Sequence, residues 1–221
     1  MPNSAGPSPT AQALTDAAID LFGAYGYHGV STRMLSEQAG TNVAAIRYHF
    51  GGKDELYRAS IEAVVEVLQP RLALARAAFD QGRALAGADS VRQARLIADL
   101  LDALLDTFLG NPDMQRFLPL ILREFSVPGP HFDRFYQALP RQLHLLFADM
   151  VAMVDGCPAD DPVTILRAHA LIGQLMVFNI GRPILFRRLG WRGYNPTRIR
   201  AVAGVLRPLL LSALKLPEVD A

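Results

Sequence analysis

Between Ala39 and Val43 the chain has only Gly40, Thr41 and Asn42 in which to stop one short amphipathic helix and start another. Gly40 can end a helix in the left-handed conformation that side chains disfavour, and Asn42 can cap the next helix by accepting from its free N–H groups. Upstream, Ser31 or Thr32 caps a helix running to Ala39, with Leu35 and Ala39 turned inward. Downstream, a helix from Val43 to His49 is followed by Phe50, which lies four residues beyond Ile46 and so on the same inner face. Val43, Ala44, Ala45, Arg47 and Tyr48 then look outward. Two short helices on a tight glycine turn, the second exposing small residues and an arginine, have the outline of a helix-turn-helix.

The flanks extend a helical pattern in both directions. Residues 1–9, rich in Pro, Ser and Gly, are expected to be a disordered arm. Thr10 is placed to cap a helix over residues 11–25, in which Leu14, Ala18, Leu21, Phe22 and Tyr25 form one buried face and Gly26 provides the stop. After Gly51 and Gly52 a long helix is predicted from Lys53, carrying Leu56, Tyr57, Ile61, Val64, Val65 and Leu68 until Pro70 bends or ends it. Breaks further on delimit apolar-periodic segments near 91–109, 113–125, 131–154, 163–188 and 197–215. No alternating strand and no repeat interrupts them. The expected fold class is therefore all-α, with an arm at 1–9, a three-helix helix-turn-helix domain at 10–52 and a larger helical bundle at 53–221.

Composition narrows the functional classes. With 51% apolar and 19% charged residues, the chain can bury a core and has apolar surface to spare for an oligomer or a pocket. The single cysteine, Cys157, cannot form an internal disulfide, so no oxidising compartment is required and a cytoplasmic location is the default. The N-terminus lacks the basic run and apolar stretch of a signal peptide, and no apolar window approaches the roughly 20 residues that span a bilayer; no membrane partner is expected. The net charge of +1 gives no global case for nucleic acid. Over residues 1–60 four positive side chains (Arg33, Arg47, Lys53, Arg58) meet five negative ones (Asp16, Asp20, Glu37, Asp54, Glu55). Any DNA affinity must come from where the positives sit, aided by helix N-termini and a two-fold dimer.

Residues 11–58 resemble the N-terminal domain of TetR-family transcriptional regulators, through LFGAYGYHGVST, the turn after Ala39 and Gly40, and the closing YHFGGKDELY. The body is similar to the branch of that family with a CerR-type C-terminal domain, through LREFSVPGPHFDRFY at 122–136 and RAHALIGQLMVFNIGRPILFRRLGW at 167–191. The resemblance implies a ligand-responsive repressor that binds a palindromic double-stranded DNA operator as a homodimer, through the helices near 163–188 and 197–215. It also implies that Thr32 meets a phosphate with Arg33 beside it near a guanine edge, that Val43, Ala44, Ala45 and Arg47 face the major groove, and that Tyr48, His49 and Lys53 grip phosphate. Arg47 stands where many relatives carry Tyr, which fits either a guanine reader or a phosphate clamp. His49 could instead pack against the first helix and orient the turn.

For the body the residues leave more open. Arg123 and Glu124 interrupt LPLILREF, and Gln174, Asn179 and Arg182 interrupt LIGQLMVFNIGRP. Such polar groups either pair internally, as an Arg/Glu pair or across a dimer, or await a ligand. Phe108, Phe117, Ile121 and Phe178 are candidate apolar lining for the same small-molecule effector, whose identity the sequence does not specify, although Phe108, Phe117, Phe125, Met176 and Phe178 equally suit a core. His131, His144 and His169 are too far apart for a local metal motif, Cys157 has no base near it in sequence, and no phosphate loop or nucleophile elbow is found. No metal, cofactor or catalytic residue is expected. Two readings stand beside the sensing repressor: a DNA-binding dimer without an effector, and a helical enzyme or carrier.

Overall fold

A computed structural model describes residues 8–219, and among these it contains helices and no strand. The chain runs α1 (Pro9–Gly29), α2 (Thr32–Gln38), α3 (Val43–Phe50), α4 (Lys53–Ala86), α5 (Ser90–Leu105), a π-helical turn (Asp106–Gly110), α6 (Met114–Ser126), α7 (Phe132–Ala138), α8 (Pro140–Asp155), α9 (Pro162–Ile180), α10 (Arg182–Leu189) and α11 (Pro196–Ala213). Two compact units result. The first gathers the chain up to Val67 with Asp113–Tyr136, and the second Leu68–Pro112 with Gln137 onward.

In the first unit α1, α2 and α3 pack on one another and α6 lies along α1. The core is Leu14, Ala18, Phe22, Leu35, Ile46, Leu56, Tyr57 and Ile61, each 1% exposed or less. The disordered arm expected at 1–9 falls mostly outside the described residues, but its end does not fit: Ser8, not Thr10, caps α1 by accepting from Ala11 N–H at 3.2 Å, and Pro9 takes the first helical position, where its missing N–H costs nothing. Gly26 breaks α1 at φ 73°, as its position predicts. Tyr25, expected on the buried face, is 58% exposed, because that face is already filled by Leu21 and Phe22.

Longer elements depart further from expectation. Pro70 neither ends α4 nor shortens it, and the helix continues to Ala86 with Leu68 and Leu72 buried on either side of the proline. Tertiary packing there outweighs the cost of one missing backbone hydrogen bond. The segment near 131–154 is two helices, since Pro140 restricts Leu139 to non-helical backbone (φ −126°, ψ −67°). The segment near 163–188 breaks at Gly181 into α9 and α10. The end of 91–109 widens into the π-helical turn.

In the second unit α8 packs on α9, and α11 on α5. Contrary to the sequence expectation, α9 is long and apolar enough to pass for a membrane span, with 19 residues and a mean hydropathy of 1.4, and a third of its span is buried. Its outer stripe, Leu166, Ala170, Gly173, Val177 and Ile180, recurs at steps of four and three and is exposed.

Candidate nucleic-acid interface and the polar sites of the body

The turn is built as its residues dictate. Ser31 caps α2 by accepting from Met34 N–H at 3.2 Å, Gly40 takes φ 64°, and Asn42 caps α3 by accepting from Ala45 N–H at 3.0 Å. Gly51 closes α3 in the left-handed region at φ 86°. Ile46 anchors α3 at 1% exposure while Tyr48 stands 84% and Val43 47% exposed. Ala44 and Arg47 are exposed beside them, and Ala45 and Phe50 are half-buried. A helix held from one side by a single isoleucine presents its small residues and its arginine to an incoming surface. His49 is half-buried with its ring edge-on to Tyr48, 4.9 Å between centroids.

On α2, Thr32 is half-buried and Arg33 exposed. Arg33 holds Glu37 at 2.7 Å, with side chains 82% and 62% exposed. A pair so solvated is held only weakly, so Arg33 can leave it for a phosphate or a base at little cost. Lys53 opens α4 with its ammonium 4.4 Å from the Tyr27 ring centroid, and partial burial holds its pKa below the usual lysine range. Asp54 and Glu55 follow it, suiting the helix N-terminus but adding negative charge beside the lysine.

Behind this surface, α6 is clamped to α1. A Cβ on Gly23 would lie 2.9 Å from Leu120 N and 3.0 Å from Pro119 Cβ, so only glycine permits the approach. Arg116 donates to Asp16 at 2.9 Å and Asp20 at 3.1 Å, and Arg123 to the Ala24 carbonyl at 2.8 Å. The internal Arg123/Glu124 pair considered from sequence is therefore not made. Consecutive residues on a helix diverge by about 100°, and Glu124, 1% exposed, instead accepts from the Tyr57 hydroxyl and from Gly129 N–H at 3.2 Å. Burial and the Glu124 carboxylate push the Tyr57 phenol far above its ordinary pKa, so it stays a donor. His131 Nε2 lies 3.1 Å from Asp54 Oδ2. None of these three partnerships can be read from local spacing.

The remaining candidate ligand residues divide between the units. Phe117 is buried on α6 in the first, and Ile121 and Glu124 adjoin Ile61, Val64, Leu120 and Phe135 in a seam with no room for a ligand. Phe125, a candidate for the core, is 49% exposed. In the second unit Phe108 is buried in the π-helical turn, Phe178 and Arg182 are half-buried, and the Phe178 carbonyl accepts from Tyr194 at 2.6 Å. Burial holds the Tyr194 hydroxyl up at about 12. On α9 two buried polar atoms, Gln174 Oε1 and Asn179 Nδ2, have no hydrogen-bond partner. An open groove of about 300 Å³ between α4 and α8, floored by Leu72, Leu143 and Leu146 and rimmed by Arg76 and Asp80, was missed from sequence. Its charged rim reads there as an ordinary i, i+4 surface pair.

A capped tight turn, an anchored second helix with a small-residue outer face, and an all-helical body make this a helix-turn-helix regulator of transcription. The family model described as bacterial regulatory proteins, tetR family, matches residues 14–60, and that of the C-terminal domain of the HTH-type transcriptional dual regulator CecR matches 94–215, more than half of the chain. The chain belongs to the TetR family, in the branch that carries the CecR C-terminal domain, the branch anticipated under the label CerR. It is 28% identical over 193 residues to the dual regulator CecR of Shigella flexneri, covering 86% of this chain and 84% of that one. To the regulator RutR of Escherichia coli K12 it is 30% identical over 56 residues, 25% of this chain and 26% of that one. The fold is shared with a transcriptional regulator from Rhodococcus sp. RHA1 (TM-score 0.56, 21% identity, 96% of this chain and 100% of the other). It is also shared with a TetR-family regulator from Streptomyces coelicolor (TM-score 0.52, 17% identity, 94% and 95%).

Proposed function

We propose that the protein is a cytoplasmic, ligand-responsive repressor, without enzymatic activity, that binds a palindromic operator as a homodimer and is released from it by a small apolar effector. The observation that carries this reading is the outer face of α3, where Val43, Ala44, Arg47 and Tyr48 stand exposed over the buried Ile46. Thr32 and Arg33 flank it from α2, with Ala45, His49 and Lys53 completing the contact. Two such helices about one turn of DNA apart, roughly 34–36 Å, read successive major grooves, and an effector that favours another spacing forfeits one half-site. The apolar stripe of α9 and the exposed Val205 and Leu209 of α11 supply the dimer face. Effector contacts are assigned to Phe108, Phe117, Ile121, Arg123, Glu124, Gln174, Phe178 and Arg182. The partnerless Gln174 Oε1 supports that assignment in the second unit, because a buried polar atom without a hydrogen bond costs about 1–3 kcal/mol that a ligand donor would recover. A dimer acting without an effector is the second reading, favoured by the closed seam around Ile121 and Glu124.

The deciding experiment is selection of bound fragments from the source genome, followed by titration of wild type and Arg47→Ala on the selected site. A palindromic site, with affinity lowered about ten- to hundredfold by Arg47→Ala, is expected from the loss of a base or phosphate contact. No enriched site would overturn the reading.

A further inference from the structure

His144 and His169 stand 25 positions apart in sequence, but within the second unit the packing of α8 on α9 brings them together. His169 Nδ1 lies 3.1 Å from His144 Nε2, and the ring centroids are 5.1 Å apart. His169 is exposed and His144 half-buried. The backbone beneath both rings is anchored. Leu143, Phe147 and Ala148 are buried around His144 on α8, and Ala168 and Ile172 around His169 on α9, none of them more than 7% exposed.

As the rings stand, an N–H of one can donate to the lone pair of the other. The same geometry meets a narrower condition. An ion bonded to two imidazole nitrogens at about 2.0–2.1 Å, with an angle of about 90–109° between them, holds those nitrogens about 2.8–3.4 Å apart. A ring radius of about 1.1 Å behind each nitrogen then places the centroids about 4.4–5.2 Å apart. Both observed separations fall inside these ranges, so an ion would require small ring rotations and no movement of either helix. No net proton is lost on binding: the donating ring moves its proton to its other nitrogen, which leaves two facing lone pairs. Burial and the neighbouring imidazole hold the His144 pKa down, which favours the neutral, ligating form of that ring.

We infer that His144 and His169 form a two-imidazole site for a divalent transition-metal ion of the zinc, nickel and copper class. Nitrogen ligands select these ions over magnesium and calcium, which take oxygen. Among the described residues no third His, Cys, Asp or Glu joins the pair, so the remaining coordination positions belong to water. The bound ion ties α8 to α9 at two points that folding has already brought together, and the ordering cost of assembling the ligands is met by helix packing. The site uses none of the residues assigned to DNA or to the apolar effector, and it does not rest on the operator-binding reading.

The test is titration of Zn2+ into the full chain by calorimetry, in a non-chelating buffer at about pH 7.5, where free imidazole is neutral. Wild type is compared with His144→Gln, His169→Gln and Cys157→Ser, the last removing the exposed free thiol. Wild type and Cys157→Ser are expected to bind one ion per chain with equal affinity. Each histidine variant should bind at least about tenfold more weakly, since loss of even an outer partner of a metal ligand costs roughly 10–100-fold. Mg2+ should give no saturable signal with any of them. As a second readout, Zn2+ should raise the melting temperature of wild type and of neither histidine variant, because an ion that prefers the native state stabilises it. His169→Gln alters an exposed position with no core to disturb, and circular dichroism before each titration checks that the variants are folded. Absence of saturable Zn2+ binding to wild type overturns the inference. So does undiminished affinity in either histidine variant, which would deny that both rings ligate the ion. Loss of binding in Cys157→Ser alone would assign the ion to the thiol and overturn it too.

Discussion

His144 on α8 and His169 on α9 stack with ring centroids 5.1 Å apart, and His169 Nδ1 lies 3.1 Å from His144 Nε2. Their separation of 25 residues hides this contact from any reading of local spacing. Burial first, and the neighbouring imidazole second, hold the His144 pKa below its usual value. A histidine whose pKa is lower folded than unfolded binds more protons when unfolded, so its contribution is present above the unfolded value and lost as pH falls through it. Wild type should therefore lose melting temperature between about pH 7.5 and 5.5, through the unfolded histidine value near 6.5, and His144→Gln should lose less over that interval. Thermal melts at the two pH values measure the difference, and equal losses would remove His144 from the account. Glu124 carries the same lesson without titration, since the residue that satisfies it, Tyr57, lies 67 positions away in sequence.

At the scale of elements, the close crossing of α1 and α6 depends on what Gly23 lacks. Gly23→Ala places a methyl against the Leu120 backbone N–H and the Pro119 ring, neither of which can swing aside. The helix propensity gained, up to about 1 kcal/mol, is outweighed by overpacking of about 1–3 kcal/mol. A melting temperature several degrees below wild type is expected by circular dichroism; an unchanged or raised one would mean that α6 shifts freely on α1. Sequence periodicity finds both helices but treats Gly23 as one more small residue on an amphipathic face. Pro70 is the converse case, a strong local signal overruled by the packing of Leu68 and Leu72.

Across the whole molecule, the outer face of α9 presents Leu166 at 68%, Val177 at 55% and Ile180 at 54% exposure, and α11 adds Val205 and Leu209. A soluble monomer seldom leaves so continuous a stripe to water. In the proposed dimer, Leu166→Glu/Val177→Glu buries like charges at the subunit contact, and sedimentation should then give a monomer mass where wild type gives a dimer. A variant that remains dimeric would move the interface elsewhere. The same stripe helps α9 pass for a membrane span by length and composition, although Arg167, His169, Gln174 and Asn179 place polar groups elsewhere on the helix.

What the sequence determines by itself is what neighbouring residues decide: the caps Ser31 and Asn42, the left-handed Gly40 and Gly51, the buried Ile46 and the exposed Val43, Ala44, Arg47 and Tyr48. Hydrogen bonds and steric limits within four residues set these features, and helical periodicity extends them into an all-α body. Only the tertiary structure decides that Glu124 belongs to Tyr57 rather than Arg123, that His144 meets His169, that Pro70 is passed over, and that the candidate ligand residues divide between two units. Each of those outcomes depends on the rotation of one helix about its axis against another. A turn of about 100° per residue exchanges one neighbour for the next, and the summed burial of many distant side chains fixes that rotation.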